Sequence, residues 1–113
     1  MEKIRIEINN IENEVIIKLL ELIDTKINVT YVYREEKLCI LYSENYYFRI
    51  NSNQLTTIIV SWVTNNTKIE IITGGGGEGI LGMSWGAENS INKKIQNTIT
   101  EYCTKNSISY VVQ

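Results

Sequence analysis

The chain has 113 residues, with 11 Lys and Arg against 13 Asp and Glu, no histidine, and a formal net charge of −2. One core is expected at this length, and 43% hydrophobic with 21% charged residues is the composition of an ordinary globular domain, so a single domain over 1–113 is expected. The acidic balance, with lysines scattered singly, speaks against a nucleic-acid partner, and the missing histidine removes Ser-His-Asp, Cys-His, zinc–histidine and facial-triad chemistry.

The N-terminal Met1-Glu2-Lys3-Ile4-Arg5 alternates charge with isoleucine and lacks the apolar run of a signal peptide. No stretch reaches the roughly 20 apolar residues of a membrane span, so a cytoplasmic protein is expected. Ile4, Ile6 and Ile8 alternate with Arg5 and Glu7, the period-two pattern of a half-buried strand, and Asn9-Asn10 offers cap chemistry for a helix. From Ile11 to Asp24 the polar Glu14, Lys18 and Glu21 share a narrow face, and apolar residues including Val15, Ile17, Leu19, Leu20 and Ile23 fill the rest. An arc that wide asks for more cover than one sheet face provides, and Ile17 and Leu20 are its candidate interface residues.

The middle of the chain reads as strands at Ile27–Tyr33, Lys37–Ser43, Tyr46–Ile50, Thr56–Thr64, Thr67–Thr73 and Ile80–Trp85, rich in β-branched and aromatic residues. Short polar links at 34–36, 44–45, 51–53 and 65–66 make neighbours antiparallel. Cys39 lies in one of these strands and Cys103 in a later helix, which suits two buried, reduced thiols better than a disulfide or a metal site. Tyr31, Tyr33, Tyr42, Tyr46, Tyr47 and Phe48 fall on consecutive strands, where cross-strand neighbours touch and can line a groove or an interface.

Over 89–105, Ile91, Ile95, Ile99, Tyr102 and Cys103 form the stripe of an amphipathic helix. Asn89 or Ser90 is suited to cap it, Asn106 to take the left-handed position after it, and Ile108–Val112 to add a last strand. The fold class is therefore α+β: β-α, six antiparallel strands, α and a C-terminal strand, forming a curved antiparallel sheet packed on one face by two helices.

That order resembles the helix-grip and TBP-like arrangement, in which a meander wraps a C-terminal helix. The block Thr73-Gly74-Gly75-Gly76-Gly77, the apolar Ile80–Trp85 and then Gly86-Ala87-Glu88 also resembles an uncharacterised family of small bacterial domains with a Gly-Gly turn, a strand and a Gly-Glu helix start. A family without known activity implies no active site.

Gly74-x-Gly76-x-x-Gly79 formally satisfies a dinucleotide fingerprint, but the apolar alternation after it postpones the helix whose N-terminus would hold a pyrophosphate. No Gly-Lys-Ser/Thr closes a P-loop either. The run reads instead as a hairpin connection whose positive-φ positions need glycine, with a loop over a pocket as the other reading; Trp62 and Trp85 are then the candidate walls and Gly74, Gly76 and Gly77 the candidate ligand-binding glycines. Catalytic residues are not indicated: the glutamate pairs 12/14 and 35/36 fall on a helix surface and in a turn, where carboxylates keep ordinary acidity. No cofactor is indicated. The expectation is a non-catalytic, self-associating binding module, with a helix-grip carrier of a small apolar ligand, in a cavity between sheet and C-terminal helix, as the alternative and a small enzyme without histidine as the third reading.

Overall fold

A computed structural model describes residues 2–9, 12–47, 52–63, 66–75 and 85–113. Its elements in chain order are β1 (Glu2–Ile8), α1 (Asn13–Lys26), β2 (Val29–Glu35), β3 (Leu38–Tyr47), β4 (Ser52–Val63), β5 (Asn66–Gly75), α2 (Trp85–Lys105) and β6 (Tyr110–Val112). The strands form one antiparallel sheet in the order β2-β3-β4-β5-β1-β6. This is the expected α+β architecture, an open sheet with two helices.

Register explains which residues are inside. Cross-strand partners share a face, and the rows Leu41–Ile58–Ile71–Ile4 and Cys39–Val60–Ile69–Ile6 run unbroken across β3, β4, β5 and β1. All but Ile4 are buried, and against them pack Ile91, Ile95, Ile99 and Cys103 of α2 with Ile16, Leu19, Leu20 and Ile23 of α1. Residues between these rows, such as Ile40, Ile59 and Glu70, point to the other face, which among the described residues no helix covers.

Two helices, each about 10 Å across, cannot roof six strands spaced about 4.8 Å apart. α2 lies over β5 and β1 and touches α1 beside it, so the uncovered margin falls on β2.

The helix ends are built differently. Glu12 stands at the N-cap of α1 in an extended conformation without a side-chain cap, in place of the expected Asn9-Asn10. α2 closes in a Schellman motif: Ile108 N–H donates to Cys103 O (2.8 Å) and Ser107 N–H to Thr104 O (3.3 Å). Ser107, with φ 56°, takes the left-handed position expected of Asn106, while Asn106 donates from Nδ2 to Tyr102 O. Ile108 then packs on the core, and β6 returns along β1 within the chain's own sheet.

Four expectations are corrected. β3 runs straight through Glu44-Asn45, which pair with Leu55 and Gln54 of β4, so the strands expected at 37–43 and 46–50 are one element as far as Tyr47; a complete ladder on a neighbour outweighs the weak strand propensity of those two residues. The first hairpin turns at Glu36-Lys37, two residues later than Arg34. Gly74 and Gly75 continue β5, opposite Leu55 and Gln54, rather than opening a turn. Trp85 begins α2 instead of ending a strand, because Trp85-Gly86-Ala87-Glu88 joins the helical period that follows it; the rest of that expected strand lies outside the described residues.

Ile95 is fully buried at the centre of the α2 stripe. Ile95→Ala is expected to lower stability by about 2–5 kcal/mol, read as a fall in the urea midpoint with unchanged slope.

Candidate functional site

β2 is the feature that the fold leaves incomplete. It is a sheet edge, and every residue after Val29 is exposed. Its central Thr30-Tyr31-Val32-Tyr33 carries no charge and no proline, the usual guards of an edge strand. A register shift between Val29 and Tyr31 is its one irregularity. Below it, Arg34 lies opposite Cys39 and Val32 opposite Leu41, both on the helix-facing side.

That side opens into a groove of about 210 Å³ between α1 and β2–β3, lined by Ile17, Leu20, Val29, Val32 and Leu41, with Glu21, Asp24 and Arg34 also lining it. Ile17 is 51% exposed and Val32 46%. The core therefore ends here with its apolar seam visible. On the opposite side of the same edge, Tyr31 and Tyr33 are exposed. The Tyr31 ring leans on Tyr42 at 5.8 Å between centroids, and Tyr33 Oη donates to Glu35 Oε1. This hydrogen bond to a carboxylate pushes the Tyr33 phenol above its ordinary range, keeping it protonated.

The uncovered sheet face continues this aromatic corner through half-buried Leu38, Ile40, Ile59 and Ile72 and exposed Leu55. At β5 and β1 it turns charged: Lys3 Nζ lies 2.8 Å and Arg5 Nη2 3.8 Å from Glu70 Oε2. The Lys3 hydrogen bond, more than the cationic fields of Lys3, Arg5 and Lys68, holds the Glu70 carboxyl below its ordinary range despite some burial.

A second constellation is internal. Ser43, Thr56 and Thr73 are cross-strand neighbours, all fully buried, and Asn92 of α2 joins them. Thr73 Oγ1 donates to Asn92 Oδ1, whereas Thr56 Oγ1 and Asn92 Nδ2 have no partner among the described residues. Such a row under α2 is polar and offers nothing to an apolar ligand. The α2 stripe further along is occupied by Ile95, Ile99 and Cys103 packed on the sheet.

The expected ligand wall does not assemble from its described members. Trp62 lies opposite Thr67 near one end of the β4–β5 ladder, and Gly74 lies opposite Leu55 near the other. Seven steps of β4 separate them, roughly 23 Å at about 3.3 Å per residue. Trp62 is half-buried against the core. Gly76 and Gly77 lie outside the described residues. Of the two interface residues, Ile17 is exposed, but Leu20 is turned into the core at 9% exposure. The wide arc of α1 is thus largely covered by the sheet and α2. Sequence reasoning missed Val32, which sits on the inner face because of the shift in β2 register; counted from Val29 alone, alternation assigns it to the outer face.

Neither cysteine is poised as a nucleophile. Burial pushes both thiols up; at Cys39 the nearby Arg34 offsets part of that rise, and at Cys103 nothing does. Among the described residues no helix is long and apolar enough to cross a membrane.

In comparison with known proteins, a family model described as "Family of unknown function (DUF6054)" matches residues 3–103. No curated protein and no solved structure matches.

Two outcomes follow from the acid–base state of these groups. In native protein at pH 8 a thiol reagent is expected to titrate neither cysteine, and both after denaturation, in a colorimetric count. Because the folded Glu70 value is depressed, its stabilisation is present above the unfolded carboxylate range and is lost as pH falls through the folded value. Glu70→Gln is expected to lose up to about 1 kcal/mol at neutral pH and to flatten that acid limb in thermal melts.

Proposed function

The chain belongs to DUF6054, a family of unknown function, and with no activity to transfer from it we propose that the protein is a non-catalytic interaction module that self-associates through the β2 edge. The observation that carries this reading is the coincidence at one edge of an uncharged, exposed strand and an unfinished apolar seam, Ile17 with Val32.

A second copy suits this edge on three counts. An antiparallel β2–β2 pair about a twofold axis at Val32 places Val32 opposite Val32, Tyr31 opposite Tyr33, and Thr30 opposite Arg34. Such an isologous contact needs only one self-complementary patch. The flanking charges then oppose neutral residues: Arg34 meets Thr30 and Glu35 meets Val29, so no like charges face each other. Main-chain groups of the edge gain partners, and both sides of the joint bury apolar surface, valine and isoleucine on the helix side and tyrosine on the other.

The other edge is a poorer candidate, because β6 is only three residues long. The buried thiols, both pushed up by burial, support a role without covalent thiol chemistry.

Sedimentation or light scattering of the intact chain at about 100 µM, a concentration suited to micromolar association, is expected to give a dimer. Val32→Lys, at an already half-exposed position, is expected to yield folded monomer, because an inward-facing charge on an edge strand blocks pairing. A wild-type monomer at that concentration, or a Val32→Lys protein that stays dimeric, sinks the proposal. Ile17→Glu should weaken the dimer on the same logic, whereas Leu20→Glu would report on folding.

A further inference from the structure

The outward sides of the two helices carry a feature that the β2 edge does not use. Between α1 and α2 runs a groove of about 600 Å³ whose lining includes Lys18 and Lys26 from α1 and Lys94 and Lys105 from α2. Glu101 is its one acidic lining residue. Four of the 11 cations of an acidic chain thus gather at one groove.

Lys26 and Lys105 sit in the last turns of their helices, where the helix end favours a cation. Lys18 and Lys94 lie in helix interiors, where that effect has died away. None of the four is ion-paired with a described carboxylate, in contrast to Lys3 and Arg5. Thr98 and Asn106, also in the lining, spend their donors on the carbonyls of Lys94 and Tyr102. The Asn97 amide and the Tyr102 hydroxyl make no side-chain hydrogen bond with a described residue. The groove is therefore lined by four cationic donors and two neutral ones around a volume suited to a small molecule, in the general range of about 300–1,000 Å³.

We infer that the α1–α2 groove binds a small multivalent oxyanion of the oligophosphate class. Lysine is a compact point charge on a flexible stem, which suits a phosphate chain presenting oxygens in several directions better than the planar fork that recognises a single carboxylate. A bound oligophosphate would relieve the mutual repulsion of the four ammonium groups and give Asn97 and Tyr102 acceptors.

The probe is inorganic tripolyphosphate, titrated calorimetrically into the intact protein. One site per chain is expected at about 20 mM salt, with affinity falling steeply by about 200 mM. Lys18→Glu with Lys94→Glu is expected to weaken binding by at least about tenfold per lysine, on the strength of charge-assisted hydrogen bonds. Lys93→Glu, on the exposed surface of α2 outside the groove, is expected to leave binding nearly unchanged. Lys18→Gln with Lys94→Gln repeats the test without charge reversal should the first pair perturb folding, which circular dichroism checks. Absence of binding at low salt overturns the inference. So does a loss in Lys93→Glu equal to that in the groove variants, since net charge alone would then be responsible.

Discussion

The structure depends on one apolar layer, the isoleucines of β1, β4 and β5 closing on the stripe of α2. Ile6, Ile58, Ile69 and Ile71 are wholly buried against Ile95 and Ile99. Because β1 enters the sheet beside β5, the strands that feed this layer are drawn from the start and the middle of the chain, and α2 lies over that junction. With α2 fixed there, α1 occupies the remaining roof. The breadth of six strands exceeds two helix diameters, so the far edge stays bare. The exposed β2 edge is thus a geometric remainder of the core, and it differs from the equally apolar and uncharged β6 edge in length, seven residues against three.

Much of this was legible beforehand. Alternation of Ile4, Ile6 and Ile8 gave β1, the stripe from Ile91 to Cys103 gave the body of α2, and short polar links gave an antiparallel meander. Boundaries were lost where a tertiary partner overrode local preference. Glu44-Asn45 reads as a turn in isolation, yet a ladder with Leu55 and Gln54 holds it extended. Gly74 and Gly75 read as a turn, yet opposite Leu55 and Gln54 they complete β5. Trp85 has neighbours on both sides that satisfy either period, and the helical one prevails.

The candidate site was legible only in part. Composition pointed to tyrosines on adjacent strands, and Tyr31, Tyr33 and Tyr42 do meet at one corner. The breadth of the apolar arc on α1 pointed to Ile17, but arc width cannot tell Ile17 from Leu20, since only the packing angle on sheet and neighbouring helix decides which of two apolar positions faces inward. Val32 was hidden by a register shift that no period reveals. The lysines of the α1–α2 groove were hidden more thoroughly, because they are scattered along the sequence and only the packing of the two helices brings them together.

The pairing of Ile6 with Ile69 also orders events in time. During synthesis from the N-terminus, β1 and α1 emerge long before β5, and the apolar face of α1 must wait for residues that the ribosome has not yet delivered. The adjacent hairpins of β2 to β5 close from neighbouring segments, whereas the first strand closes a long loop and gains its contacts late. Newly made chains therefore pass through a stage in which a greasy helix and two bare strand edges coexist. The pairing proposed for finished copies at β2 has its counterpart at that stage in a hazard of premature association, which ends when the first strand docks.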